Sequence, residues 1–273
     1  MSDPLHTHDE GVGRVNRLRT DVSHSARIWN YWLGGKDNYP VDQEVGDQIL
    51  SFVPELPRSA VADRAFLARA VRYLAGEAGV RQFLDIGTGL PTAENTHEVA
   101  QRVDPSCRIV YVDNDPLVLN HAHALLTSTR EGATDYIEAD IHDPEAILRG
   151  AAATLDLERP VAVTMLGILN FVMDTDEAAS VVHRLLDALP SGSHLAISHP
   201  TTEVDGEAMT QAVEYWNSQG SALMTLRTRD DLAGFFDRVE LLEPGIVSCS
   251  RWRPEPGGEP AQVTHFAGVG RKP

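Results

Sequence analysis

The feature that most constrains how this chain can fold lies at residues 83–92. An apolar run, Phe83-Leu84-Asp85-Ile86, passes directly into Gly87-Thr88-Gly89 and then into a helix-like stretch. Glycines in a strand-to-helix turn let the backbone approach a ligand, and the helix start offers free N–H donors. The same alternation repeats downstream. Runs 82–86, 108–112, 134–138, 161–166 and 194–198 read as strands, and 92–103, 116–129, 143–156 and 175–189 read as helices. This order predicts an α/β fold with a mostly parallel sheet covered on both faces. The end differs. A helix over 229–237 precedes two strand-like runs, 239–247 and 262–270, joined by a loop rich in Pro and Gly. That arrangement predicts an antiparallel hairpin closing the sheet.

The first 80 residues have another texture. Residues 1–24 are polar and read as a tail, in which His6 and His8 are solvated rather than metal-binding. No apolar stretch there resembles a signal peptide, and no run approaches the ~20 apolar residues of a membrane span. Ile28, Trp29, Trp32 and Leu33 suit a short helix ended by Gly34-Gly35. Val41, Val45, Ile49 and Leu50 suit a second helix, broken by Pro54 and Pro57, and residues 58–78 an amphipathic third. The expected organisation is therefore a tail and helical lid over 1–80 and a ligand-binding core over 81–273.

Two further strand ends carry acids. Asp113 closes the run Ile109–Val112, 24 residues after Gly89, near the ~20-residue spacing of an acid that holds ribose hydroxyls. Asp140 and Ile141 follow the run ending at Glu138, and suit an adenine amino group and ring. Asp115 and Asp143, each before a proline, read as helix caps. The third glycine of a dinucleotide fingerprint is absent, because Thr92 occupies its position. Asp85, two residues before Gly87, disfavours a pyrophosphate and favours a cationic ligand. S-adenosylmethionine, with its sulfonium and ammonium, fits that charge.

The segments FLDIGTGLPT, VYVDNDP and YIEADIHDP resemble the first three motifs of class I S-adenosylmethionine-dependent methyltransferases. With SARIWNYWLGGKDNYPVD near the start and GIVSCSRWRPE near the end, the chain resembles, from about residue 15 onward, an actinobacterial S-adenosyl methyltransferase family, formerly a domain of unknown function. The resemblance implies a Rossmann-like, mostly parallel seven-stranded sheet with an antiparallel last strand. It implies no particular substrate.

Methyl transfer can run largely on positioning, so a catalytic triad need not be present, and none is legible. The expected cofactor set is Asp85, Gly87, Thr88, Gly89, Asp113, Asn114, Asp140 and Ile141. Asn170, after the fourth strand, suits the acceptor, the amino-acid part of the cofactor or, equally, a cap on the turn before the 175–189 helix. His199, after the fifth, is the best-placed candidate for a base, set against the reading that it simply fixes the strand-end loop. In the lid, Arg27 or Lys36 would hold the methionine carboxylate and Tyr31 would lie near the sulfonium, within the turn around Gly35. Trp29 and Trp32 read mainly as packing. His121 and His123, two apart on an expected helix, do not share a face, so no metal site is expected. Cys107 and Cys249 lie far apart and read as buried thiols of a cytoplasmic protein. The net charge of −17 disfavours nucleic acid and anionic membranes as partners and leaves a small-molecule acceptor. The rival readings are a non-catalytic S-adenosylmethionine-binding regulator and an NAD-linked oxidoreductase.

Overall fold

The computed structural model describes residues 20–115, 118, 122, 127–219, 222–257 and 260–273. The tail histidines His6 and His8, residues His121 and His123, and most of the helix expected over 116–129 lie outside the described residues.

Strands β1 (Gln82–Ile86), β2 (Arg108–Asp113), β3 (Ala133–Glu138), β4 (Ala162–Leu166) and β5 (His194–Pro200) run parallel. With β6 (Glu240–Leu241) and β8 (His265–Arg271) they form a sheet of order β3-β2-β1-β4-β5-β8-β6. Strand β8 is antiparallel to β5 and to β6 and lies between them. A two-residue strand, β7 (Val247–Ser248), also pairs with β8, so an eighth strand joins the seven expected. The hairpin residues are less regular than their apolar runs suggested, and much of 242–264 is turn and loop.

Helices cover both faces because the central strands are apolar on both sides. On one face, α3 (Leu56–Gly76) and α4 (Thr96–Val103) pack through Phe66, Val71 and Val99 onto Phe83, Ile109 and Ala196. On the other, α5 (Pro144–Ala151), α6 (Thr175–Asp187) and α8 (Arg229–Gly234) pack onto Leu84, Val163 and Ile197. Helix starts follow their caps. Asp143 and Asp174 accept from Ala146 N and Glu177 N, each at 2.9 Å. Asn95 sets the start of α4 at Thr96, four residues beyond the expected 92. Pro57, read as a breaker, instead occupies the first turn of α3, where its missing N–H costs nothing.

A third cluster lies apart from the sheet faces. Helices α1 (Ser25–Trp32) and α2 (Pro40–Phe52) pack against α7 (Gly206–Ser218) through Ile28, Val45, Ile49, Met209, Ala212 and Trp216. Thus α1 and α2 join a helix from late in the chain, whereas α3 belongs to the sheet's own apolar layer.

Candidate functional site

The parallel strands all point their C-terminal ends toward one edge, where loops of an open α/β sheet gather. A cavity of about 410 Å³ lies there, within the range of small-ligand sites. Its floor is the residues that follow β1 to β5. Its cover is α1, α2 and α7.

On the floor, Gly87 and Gly89 both have positive φ, +76° and +66°. A Cβ at Gly87 would come within 2.6 Å of Ile168, whereas at Gly89 nothing lies within 4 Å. Gly89 N–H donates to Asp113 Oδ2 at 3.0 Å, and Asp115 N–H donates to Asp113 Oδ1 at 3.0 Å. Both carboxylate oxygens are thereby aimed, with lone pairs to spare. Burial raises the Asp113 pKa despite these bonds. Thr88 Oγ1 donates to Asp85 O at 3.2 Å, folding the loop back on β1. The Asp85 carboxylate is buried and accepts from Thr96 Oγ1 at 2.6 Å and Thr164 Oγ1 at 2.7 Å. Burial raises its pKa against those two bonds.

Asp140 accepts at Oδ1 from His142 N at 2.9 Å and at Oδ2 from Asn114 Nδ2 at 3.4 Å. Burial works to raise its pKa, but the backbone and ring of His142 outweigh it and the net shift is downward. Ile141 is buried beside it. Asp85, Gly87, Thr88, Gly89, Asp113, Asn114, Asp140, Ile141 and Asn170 therefore all line one cavity.

The lid residues divide differently. Arg27, Tyr31, Gly35 and Lys36 do not line the cavity. The Arg27 guanidinium is buried against Asp42 at 2.9 Å and also donates to Val22 O. Tyr31 Oη donates to Asp47 Oδ1 of α2 at 2.6 Å, at the surface. Lys36 is exposed, and Gly35 packs against Asn30. Asn30 itself lines the cavity, and its Oδ1 accepts from Asp37 N at 3.0 Å and Asn38 Nδ2 at 2.9 Å. The polar turn thus wraps around Asn30 instead of reaching the ligand space. Trp29 and Trp32 pack against each other edge-on at 5.9 Å and line the cavity as well. His24 caps α1 and reaches Asp115 at 3.3 Å, tying the lid to the tip of β2.

His199 does not line the cavity. Successive strand residues face opposite sides. Ala196 on β5 packs with the α3 layer, so Ser198 shares that side and His199 faces α8. There its Nδ1–H donates to Pro200 O at 2.7 Å and Nε2 accepts from Arg227 at 2.9 Å. Burial first, then the Arg227 charge, pushes its pKa to about 3 even though the Pro200 carbonyl favours protonation. Both nitrogens are committed, and no base is left to offer. Arg227 also donates to Leu169 O at 2.8 Å and Val172 O at 2.6 Å. The His199–Arg227 pair therefore braces the turn that carries Asn170.

Several cavity residues escaped the sequence reading. Arg64 and Asp63 from α3, His265 from β8, His142, and Met209 and Trp216 from α7 all line it. Met209, Ala212, Val213 and Trp216 recur at helical spacing, a signal sufficient to find α7. Arg64 and Asp63 carried no such signal, being two charges among many on an amphipathic helix.

The residues fit a ligand with both polar and apolar parts. Asp63 Oδ1, Asn170 Oδ1 and Arg64 Nε are buried at the cavity without a hydrogen-bond partner. Such atoms cost free energy unless something pairs with them.

The profile of a family described as S-adenosyl methyltransferase matches residues 13–273. A crystal structure of a DUF574-family protein from Streptomyces avermitilis is 47% identical, with a TM-score of 0.90 over 94% of this chain and 100% of that one. A candidate methyltransferase from Thermobifida fusca is 37% identical, with a TM-score of 0.85 over 95% of this chain and 99% of that one. The S-adenosylmethionine-dependent methyltransferase SibL resembles this chain in fold alone, at 16% identity and a TM-score of 0.54, over 94% of this chain and 67% of that one. No curated protein sequence matches.

Proposed function

The chain belongs to the S-adenosyl methyltransferase family, with S-adenosylmethionine as methyl donor, and on that premise we propose how its residues divide the work on a small-molecule acceptor. The nicotinamide and non-catalytic alternatives find no support in the comparisons.

When bound, S-adenosylmethionine supplies a methyl group already made electrophilic by its sulfonium. The protein's task is to hold it, exclude water and orient the acceptor. In our reading Asp113 accepts from the ribose hydroxyls, its oxygens fixed by Gly89 N–H and Asp115 N–H. Asp140 accepts from the adenine amino group, and Ile141 lies against the ring. Gly89, with open space where a side chain would stand, leaves room for the methionine portion. Asn170 Oδ1, buried and unpartnered beside Gly167 and Ile168, receives a donor from the ligand's amino-acid end.

The methionine carboxylate goes to Arg64 instead of Arg27 or Lys36. The carrying observation is that Arg64 lines the cavity with Nε buried and unpartnered, while Arg27 is consumed by Asp42 and Lys36 points to solvent. Calorimetric titration of S-adenosylhomocysteine into Arg64→Ala and Lys36→Ala tests this. Losing a charge-assisted bond costs about 1.5–3 kcal/mol, so Arg64→Ala weakens binding about tenfold or more. Lys36→Ala leaves it unchanged. The reverse ranking would return the carboxylate to the N-terminal turn.

The covering helices bring an apolar surface to the rest of the cavity, through Trp29, Trp32, Ile49, Leu56, Met209 and Trp216. That surface suits a small, largely apolar acceptor. The cover of these helices favours a small acceptor over a polymer, and the acidic balance supports the same choice. A soluble, cytoplasmic location agrees with this chemistry, and among the described residues no helix is long and apolar enough to cross a membrane.

A further inference from the structure

The apolar half of the cavity contains a polar corner that the cofactor does not need. It lies where α3 meets the start of β8. Ser59 and Thr264 fix that junction, their hydroxyls 2.9 Å apart and Thr264 N donating to Ser59 Oγ at 3.2 Å. One helical turn past Ser59 stands Asp63, and directly after Thr264 stands His265. Both side chains line the cavity, both are at least nine-tenths buried, and Asp63 Oδ1 and His265 Nδ1 have no partner. The Trp29 ring stands edge-on to His265 at 5.4 Å.

The groups facing Asp63 from the elements around it are Ser198 of β5, Arg64 of its own helix and the Cys249 thiol of the turn after β7. Burial, offset only in part by Ser198 and Arg64, raises Asp63 to about 6. The carboxylate is therefore mostly ionised at neutral pH, in a place with little water. Burial lowers His265 to about 4, so the ring is neutral and can present a lone pair at Nδ1. A buried anion beside a neutral acceptor, on an aromatic wall, complements a cation with several N–H donors. The net charge of −17 draws such a ligand toward the protein.

We propose that the methyl acceptor is an apolar amine, bound as its ammonium between Asp63 and His265 with its carbon body against Trp29, Trp32 and Trp216. This rests on the methyltransferase reading. Asp63 then takes a proton from the ammonium. One N–H bond breaks, its electron pair stays on nitrogen, and an O–H bond forms at the carboxyl. The freed lone pair is the nucleophile, so Asp63 fills the role that His199 cannot.

The test uses the full chain saturated with S-adenosylhomocysteine and two probes, tryptamine and its uncharged isostere indole-3-ethanol, titrated calorimetrically. Wild type should prefer tryptamine by about tenfold or more, the scale of one charge-assisted hydrogen bond. Asp63→Asn should abolish that preference while binding S-adenosylhomocysteine as wild type does. His265→Gln, which retains the carboxylate, should reduce the preference in part. Mass spectrometry of wild type with S-adenosylmethionine should detect N-methyltryptamine. Equal binding of the two probes, binding of neither, or a preference that survives Asp63→Asn would overturn the amine. If Asp63→Asn does not fold, an unchanged preference in His265→Gln does so. Loss of S-adenosylhomocysteine by a folded Asp63→Asn would move this carboxylate into the cofactor half and overturn it too. Failure of wild type to bind S-adenosylhomocysteine would instead remove the underlying methyltransferase reading.

Discussion

Gly87 and Gly89 look alike in the sequence but carry different constraints. Both have positive φ, which costs a residue with a Cβ roughly 1–2 kcal/mol. At Gly87 the added methyl would also strike the Ile168 side chain at 2.6 Å, so Gly87→Ala should lower the melting temperature sharply. At Gly89 the methyl meets open space, so Gly89→Ala should fold with a small loss and instead weaken S-adenosylhomocysteine. Melting curves and titrations of the two variants check this, and the opposite ranking would contradict it. The type of residue at each strand end was legible, because apolar runs ending in Gly, Asp or Asn stand out. Which way a side chain faces was harder to read. All seven residues of β5 are buried, since both faces are covered, so no alternation marks Ser198 and His199 as facing opposite sides. His265, which does line the cavity, sits on the antiparallel neighbour opposite Pro200.

Among the elements, the alternating core was readable from the order of apolar runs and caps. The boundaries that moved did so for local reasons. The Asn95 cap delays α4, Pro57 opens α3 rather than ending α2, and α5 stops at Ala151 instead of continuing to 156. The helical cover of the cavity was readable only in part. An N-terminal helix with two tryptophans signals a cover, but it cannot show that the partner is α7, some 180 residues later. Nor can it show that Arg27 turns inward to Asp42, a choice set by the α1–α2 packing. Local sequence fixes a helix and its apolar stripe, whereas its polar side chains settle by tertiary contacts.

At the scale of the whole molecule, burial of histidines makes stability depend on pH. Burial holds His199 at about 3 and both His194 and His265 at about 4, against about 6.5 in the unfolded chain. Below pH 6.5 the unfolded state binds the extra protons, so stability is full above that value and falls as pH drops toward 4. Each histidine contributes roughly 1 kcal/mol per pH unit. Asp63, raised to about 6, and Asp85 and Asp113, also raised by burial, work the other way, because the folded state keeps each proton to higher pH, and they offset part of the loss. The urea midpoint should therefore be lower at pH 5.5 than at 7.5, and an equal or higher midpoint would contradict the buried, neutral histidines.

In the proposed reading the sheet edge holds S-adenosylmethionine with Asp113 on the ribose. Calorimetric titration of S-adenosylmethionine and S-adenosylhomocysteine into wild type and Asp113→Ala tests that assignment. Wild type should bind in the micromolar range and the variant about tenfold or more weaker, the cost of a charged hydrogen bond. No binding by wild type, or equal binding by the two proteins, would contradict it.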